Sequence, residues 1–182
     1  MTATFLVSDT HFGHAGVCKF LCEDGIHKIR PWTDPDEMNE DMIRMWNETV
    51  RPNDKVYHLG DVVINRRYLP ILDRLNGDKV LIKGNHDIFK LEDYAKYFRD
   101  IRSCHKMGEY ILTHIPLHPD SLARWCGGNF HGHLHTNRVM EYRKSIKMTV
   151  IDPRYFNVSV EQIGFKPILF EEAVKAMKYQ QE

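Results

Sequence analysis

No apolar run in this chain of 182 residues approaches the roughly 20 that span a bilayer, so no membrane-spanning helix is expected. Charge of one sign is not in excess either: Lys+Arg and Asp+Glu number 25 each. That balance disfavours a polybasic membrane anchor and the basic coat of a binder of long nucleic acid, while leaving room for a local groove. Cysteine is scarce. Cys18, Cys22, Cys104 and Cys126 form no CxxC pair and no short-chain disulfide framework, which reads as free thiols in a reducing compartment. The segment Met1-Thr2-Ala3-Thr4-Phe5 has no basic region or cleavage site, so a signal peptide is not expected and a cytoplasmic location is. Repeats, low-complexity tracts and linkers are missing as well. One domain over 1–182 is expected, and 42% hydrophobic against 27% charged residues suffices for a packed core.

What the chain does have is histidine, 11 in all, clustered beside Asp, Asn and Gly. These clusters lie in a pattern of alternating strand-like and helix-like segments. Thr4 to Val7 reads as a strand. A helix is expected from Pro35, capped by Asp34 with Glu37 completing a capping box, its apolar Met38, Met42, Met45 and Trp46 at helical spacing. Lys55–Leu59, Lys79–Lys83, Glu109–Thr113, Asn129–His131, Arg138–Tyr142 and Tyr155–Val160 read as strands. Leu69, Leu72 and Leu75 mark a short helix, Ile88 to Phe98 another, and Phe170 to Lys178 a third. Alternation early and strands later indicate a layered α/β domain whose sheet is not wholly parallel.

Five groups carry metal-ligand chemistry: Asp9-Thr10-His11, Gly60-Asp61, Gly84-Asn85-His86-Asp87, His114 and Gly132-His133-Leu134-His135. Each follows a strand-like run, and the carboxyl ends of strands in open α/β sheets are where sites form. An HxH on a strand would turn both rings to one side. Asp87 is expected to cap the following helix. His58 and His131, inside expected strands, read as packing or support residues, and His27, His105 and His118 as surface or loop residues.

The ordered set resembles the calcineurin-like metallophosphoesterase superfamily, with its pattern DxH, GD, GNHD, H and GHxH, from Asp9 to His135. It looks like the small bacterial and phage members. Gly60-Asp61-Val62-Val63-Ile64-Asn65-Arg66 departs from the GDxxDRG of the large protein phosphatases. The resemblance implies a four-layer α/β/β/α sandwich of two mixed sheets flanked by helices. It implies that Asp9, His11, Asp61 and His135 bind one metal and that Asp61, Asn85, His114 and His133 bind a second. Asp61 would bridge, and His86, a non-ligand, would face the leaving group as the catalytic acid.

The residue chemistry agrees with that picture. Two divalent ions roughly 3.5–4 Å apart clamp an in-line displacement and lower the pKa of a bridging water. Two such ions, two carboxylates and one hydroxide leave one net positive charge for a phosphate. Imidazole, carboxylate and amide without thiolate suit Mn, Fe, Zn or Ni, with Mn preferred from the resemblance alone. The expected activity is hydrolysis of phosphate mono- or diesters by the bridging hydroxide, without a covalent phospho-enzyme. A nuclease or nucleotide phosphodiesterase acting on nucleic-acid ends or cyclic nucleotides is one alternative, and a non-catalytic interaction scaffold is another. The expected partner is a small phosphate ester or nucleotide, with long nucleic acid less favoured and no membrane. His14, Arg66 and Arg67 are candidate substrate-binding residues, an arginine being able to grip phosphate bidentately. An open site is expected, which loops 12–36 and 115–128 are long enough to cover.

Overall fold

The apolar run Thr4–Val7 forms β1. After a long connection, α1 spans Pro35–Thr49, with the Asp34 carboxylate accepting from the amides of Asp36 and Glu37 and Pro35 in the first turn. Then follow β2 (Lys55–His58), β3 (Asp78–Ile82), the single-turn α2 (Leu91–Tyr94), β4 (Asp100–Arg102), β5 (His105–Met107), β6 (Tyr110–Leu112), β7 (Gly128–His131), β8 (Met140–Arg143), β9 (Met148–Ile151), β10 (Tyr155–Asn157), β11 (Ile168–Leu169) and α3 (Phe170–Tyr179). Two 3-10 segments lie at Arg66–Arg74 and Pro119–Arg124. This computed structural model describes residues 2–124 and 127–180, so Trp125 and Cys126, expected in core or turn packing, lie outside the described residues.

The architecture is α/β, with two mixed sheets and helices. The first sheet runs β11-β1-β2-β3-β4, with β1 to β4 parallel and β11 antiparallel. The second runs β10-β7-β6-β5, parallel except for the β5–β6 pair. Strand alternation decides the layers. Leu6, Tyr57, Leu59, Val80 and Ile82 meet Tyr110, Leu112 and Phe130 between the sheets. Phe5, Val7, Val56 and Leu81 face the other way and pack with Met38, Met42, Ile43 and Trp46 of α1. Outside the second sheet, Ile111 and Tyr155 pack with Leu122 of the second 3-10 segment. The hairpin β8–β9 forms a separate two-stranded sheet. Among the described residues no helix is long and apolar enough to cross a membrane.

Several local expectations change on folding. The short helix expected at Leu69, Leu72 and Leu75 forms, and it is 3-10: a spacing of three fits three residues per turn, Leu69, Leu72 and Leu75 are all buried, and Pro70 withholds a donor. The helix expected over Ile88 to Phe98 shrinks to one turn, leaving Ile88 exposed. β4, β5, β9 and β11 carry no apolar alternation strong enough to read from sequence, and pairing with neighbours makes them strands. His105 is on β5, its ring stacked on Tyr57 with centroids 4.8 Å apart, while His27 and His118 are exposed as expected.

Candidate metal centre

Because β1, β2 and β3 are mutually parallel, and β6 and β7 likewise, the five motif groups leave their strands at carboxyl ends. The sheets are tied at this edge by the Ser8–Ser159 bridge, beside Asp9. Two ligand groups result: Asp9, His11 and His135, and Asp61, His114 and His133. The ligand atoms within each lie within 4.8 Å of one another.

Asp61 stands between them, its Oδ2 being 3.7 Å from His11 Nε2 and 3.4 Å from His114 Nε2. Asn85 Oδ1 joins the second group, 2.8 Å from His114 Nε2 and 3.0 Å from His133 Nδ1. Asp9, His11, Asp61 and His114 form a buried floor, while Asn85 and His86 are exposed at the rim. The ring centroid of His86 is 5.6 Å from that of His11, and its amide donates to Asp61 Oδ1 at 2.8 Å.

Five of the seven proposed ligands are non-glycine residues with positive φ: Asp9, His11, Asp61, His133 and His135, at 48–69°. Such backbone costs on the order of 1–3 kcal/mol per residue and concentrates at functional sites. It also corrects the expectation for the HxH pair. His133 and His135 lie beyond the end of β7, not on it, and their rings serve different groups. The glycines make room. A Cβ on Gly84 would stand 2.2 Å from Asp61 Oδ1, and one on Gly132 2.4 Å from Asp9 Oδ2.

Neighbouring groups select the nitrogen that His114 and His135 present. His114 Nδ1 donates to the Leu59 carbonyl at 2.7 Å, leaving Nε2 to face Asp61 and Asn85. His135 Nδ1 donates to Glu161 at 3.0 Å. Asp9 Oδ2 accepts from the His133 amide and the Ser159 hydroxyl at 2.9 Å each, but Oδ1 is buried without a partner. A buried carboxylate oxygen left alone among imidazoles is what a cation would satisfy, so the donor set fits divalent metal.

The electrostatics follow. Burial would raise the Asp61 carboxyl, but the hydrogen bond and charge of His114 overcome it and hold its pKa at about 2. Burial raises Asp9 against the pull of His114 and His135. Burial, reinforced by the charge of Arg30, pushes His11 well down, so that ring is neutral and able to ligate.

His14 is brought to the cluster: its ring centroid lies 5.6 Å from His11 and 5.8 Å from Phe20. The guanidiniums of Arg66 and Arg67 are held elsewhere, Arg66 by Asp93 at 2.9 Å and over the Phe89 ring, Arg67 by the Tyr68 hydroxyl at 2.7 Å. His58 and His131 are buried support, as expected. His58 Nε2 donates to Thr10 Oγ1 and its Nδ1 accepts from the Gly60 amide; His131 Nδ1 donates to the Gly132 carbonyl. Asp87 is not a helix cap: its carboxylate accepts from the amides of Asp61, Val62 and Gly84. Arg30, Ser159 and Glu161 border the site and belong to no motif. Only the oddity of a lone arginine in an apolar stretch, Ile29-Arg30-Pro31-Trp32, marks Arg30 in the sequence.

No protein-family model matches the chain. An uncharacterized protein of Methanocaldococcus jannaschii is 36% identical over 190 residues, covering 98% of this chain and 93% of that one, so the two belong to one family. A protein of unknown function from Aquifex aeolicus has a similar crystal structure, with TM-score 0.68, 25% identity, and 97% and 100% of the two chains covered. The nuclease MPE of Pseudomonas putida shares the fold at TM-score 0.51 and 18% identity, over 87% of this chain and 74% of that one. The chain thus has the fold seen in nuclease MPE, with the motif residues gathered at its strand ends.

Proposed function

We propose that the protein is a dinuclear metal-dependent phosphoesterase. The observation that carries this reading is the placement of Asp61 Oδ2 between His11 and His114, one from each ligand group. Asp9, His11, Asp61 and His135 would hold one ion, and Asp61, Asn85, His114 and His133 the other. When bound, the ions supply Lewis acidity and bring a water's pKa toward neutrality, with Mn preferred and Fe, Zn or Ni compatible.

The remaining chemistry belongs to the chain. Asp9 and Asp61 bring only two negative charges, and neutral Asn85 keeps the loaded site attractive to phosphate. His86 has its amide pinned to Asp61 and its ring exposed beside the cluster, so the ring can pass a proton to the departing oxygen. His14, whose ring also lies beside His11, is a candidate phosphate contact. Arg66 could serve as one only by leaving Asp93.

One feature favours a diester over a monoester. A groove lined by Lys83, Ser103, Cys104, Ile115 and Leu117 opens beside Asn85 and His114. It provides apolar wall and one cation for a second ester group, supporting a nucleotide phosphodiesterase or nuclease reading, as does the fold likeness to nuclease MPE. The test is Mn²⁺-dependent release of p-nitrophenol from bis-p-nitrophenyl phosphate and from p-nitrophenyl phosphate, followed by cyclic nucleotides and short oligonucleotides. Faster turnover of the diester supports the groove's role. Failure to hydrolyse any phosphate ester with Mn, Fe, Zn or Ni would exclude the phosphoesterase reading.

A further inference from the structure

Beneath the first ligand group lies a buried ionic cluster that no motif includes. Arg30 is wholly buried. Its Nε and Nη2 both reach Glu161 Oε1 at 2.7 Å, and its Nη1 and Nη2 donate to the carbonyls of Thr10 and Asp9 at 2.8 and 2.5 Å. The same Glu161 oxygen accepts from His135 Nδ1 at 3.0 Å, and the Glu161 side chain is 1% exposed.

Stability alone is a poor reason for this arrangement. A buried ion pair roughly breaks even against well-packed apolar side chains. Here Glu161 Oε2 is also buried without a partner, which is itself destabilising. Position explains more. The carboxylate can only accept, so His135 must carry its proton on Nδ1 and present the Nε2 lone pair. The guanidinium grips the turn in which Asp9 takes φ 58°.

We propose that Glu161 and Arg30 are positioning residues for the first ion: Glu161 orients His135 in the ligating tautomer, and Arg30 ties that carboxylate to the Asp9–Thr10 turn. This rests on the metal-centre reading. Outer partners of ligating histidines are typically worth about 10–100-fold in metal affinity.

The test is calorimetric titration of the metal-free protein with Mn²⁺ alone. Wild type is expected to bind two ions. Glu161→Gln should weaken one of them by about 10–100-fold and leave the other within a few-fold. Glu161→Asp, which keeps a charge for Arg30 but falls short of His135, should show the same selective loss. In a His135→Ala background, neither change should affect the ion that remains. Unchanged affinities in both variants, equal loss at both ions, equal loss with or without His135, or failure of both variants to fold would overturn the proposal, making the pair merely structural. Wild-type protein that binds no Mn²⁺ would instead overturn the metal-centre reading and this proposal with it.

Discussion

Asp87 Oδ2 accepts the backbone amide of Asp61 at 2.9 Å, and its two oxygens together also take the amides of Gly84 and Val62. The aspartate of one motif thus holds the backbone of Asp61, the proposed bridging ligand, in another. Asp87→Ala would leave the buried amides of Asp61 and Val62 and the half-buried amide of Gly84 without their acceptor, at about 1–3 kcal/mol for each one unsatisfied. The expected result is a loss of several kcal/mol in urea unfolding, together with weaker Mn²⁺ binding. Unchanged stability would show that these amides find other partners.

Asp61→Asn removes the charge shared by the two ligand groups. It is expected to lower bound Mn²⁺ to below one ion per chain and to abolish phosphodiester turnover. Elemental analysis after gel filtration, paired with the bis-p-nitrophenyl phosphate assay, reads both. Two tightly bound ions in this variant would contradict the bridging role.

His86→Ala tests the other side of the chemistry. Its backbone amide, which holds Asp61, survives the change. Metal content should stay near the wild-type value while kcat falls by about 10²–10⁴-fold, as for loss of a general acid. A matching fall in bound metal would mean that the ring ligates instead.

Gly132→Ala would place a methyl 2.0 Å from Ser8 Oγ and 2.4 Å from Asp9 Oδ2. Asp9 must then move. Expected is selective weakening of the ion held by Asp9, His11 and His135, seen as one altered binding event in a Mn²⁺ titration. Wild-type affinity for both ions would show that this turn yields more readily than its packing indicates.

Acid should destabilise the metal-free protein partly through His58. Burial pushes its pKa down to about 3, and Nδ1 already accepts from the Gly60 amide, so the folded state excludes a proton that the unfolded chain binds below about 6.5. The contribution is therefore fully present above pH 6.5 and is lost as the pH falls from there toward 3, at up to about 1.4 kcal/mol per pH unit. His58→Leu should flatten the dependence of unfolding free energy on pH by that amount between pH 6 and 5. Equal slopes in the two proteins would assign the acid sensitivity to other groups.

Much of this was legible beforehand where local signals are strong. The Asp34 cap and Pro35 place α1 within a residue, and the apolar runs at Thr4, Lys55 and Lys79 become β1, β2 and β3. Polar three-residue strands such as β4 and β5 have no local signature, because neighbouring strands, not their own side chains, make them strands. The shortness of α2 has a related cause: Asp87, which by its place in the sequence should cap it, spends its carboxylate on amides of Asp61, Val62 and Gly84.

Ligand chemistry was decided at the level of residue identity. Asp, Asn and His side chains carry their donor atoms wherever they stand, and their order along the chain survives folding. Which of the two clusters each side chain joins was not so decided. Left-handed backbone at Asp9, His11, Asp61, His133 and His135 turns neighbours such as His133 and His135 toward different partners. Arg30 meets Glu161 across 131 positions of sequence only because two loops close over the ends of β1 and β7. Long-range packing alone sets such distances, and with them the nitrogen that His114 and His135 offer.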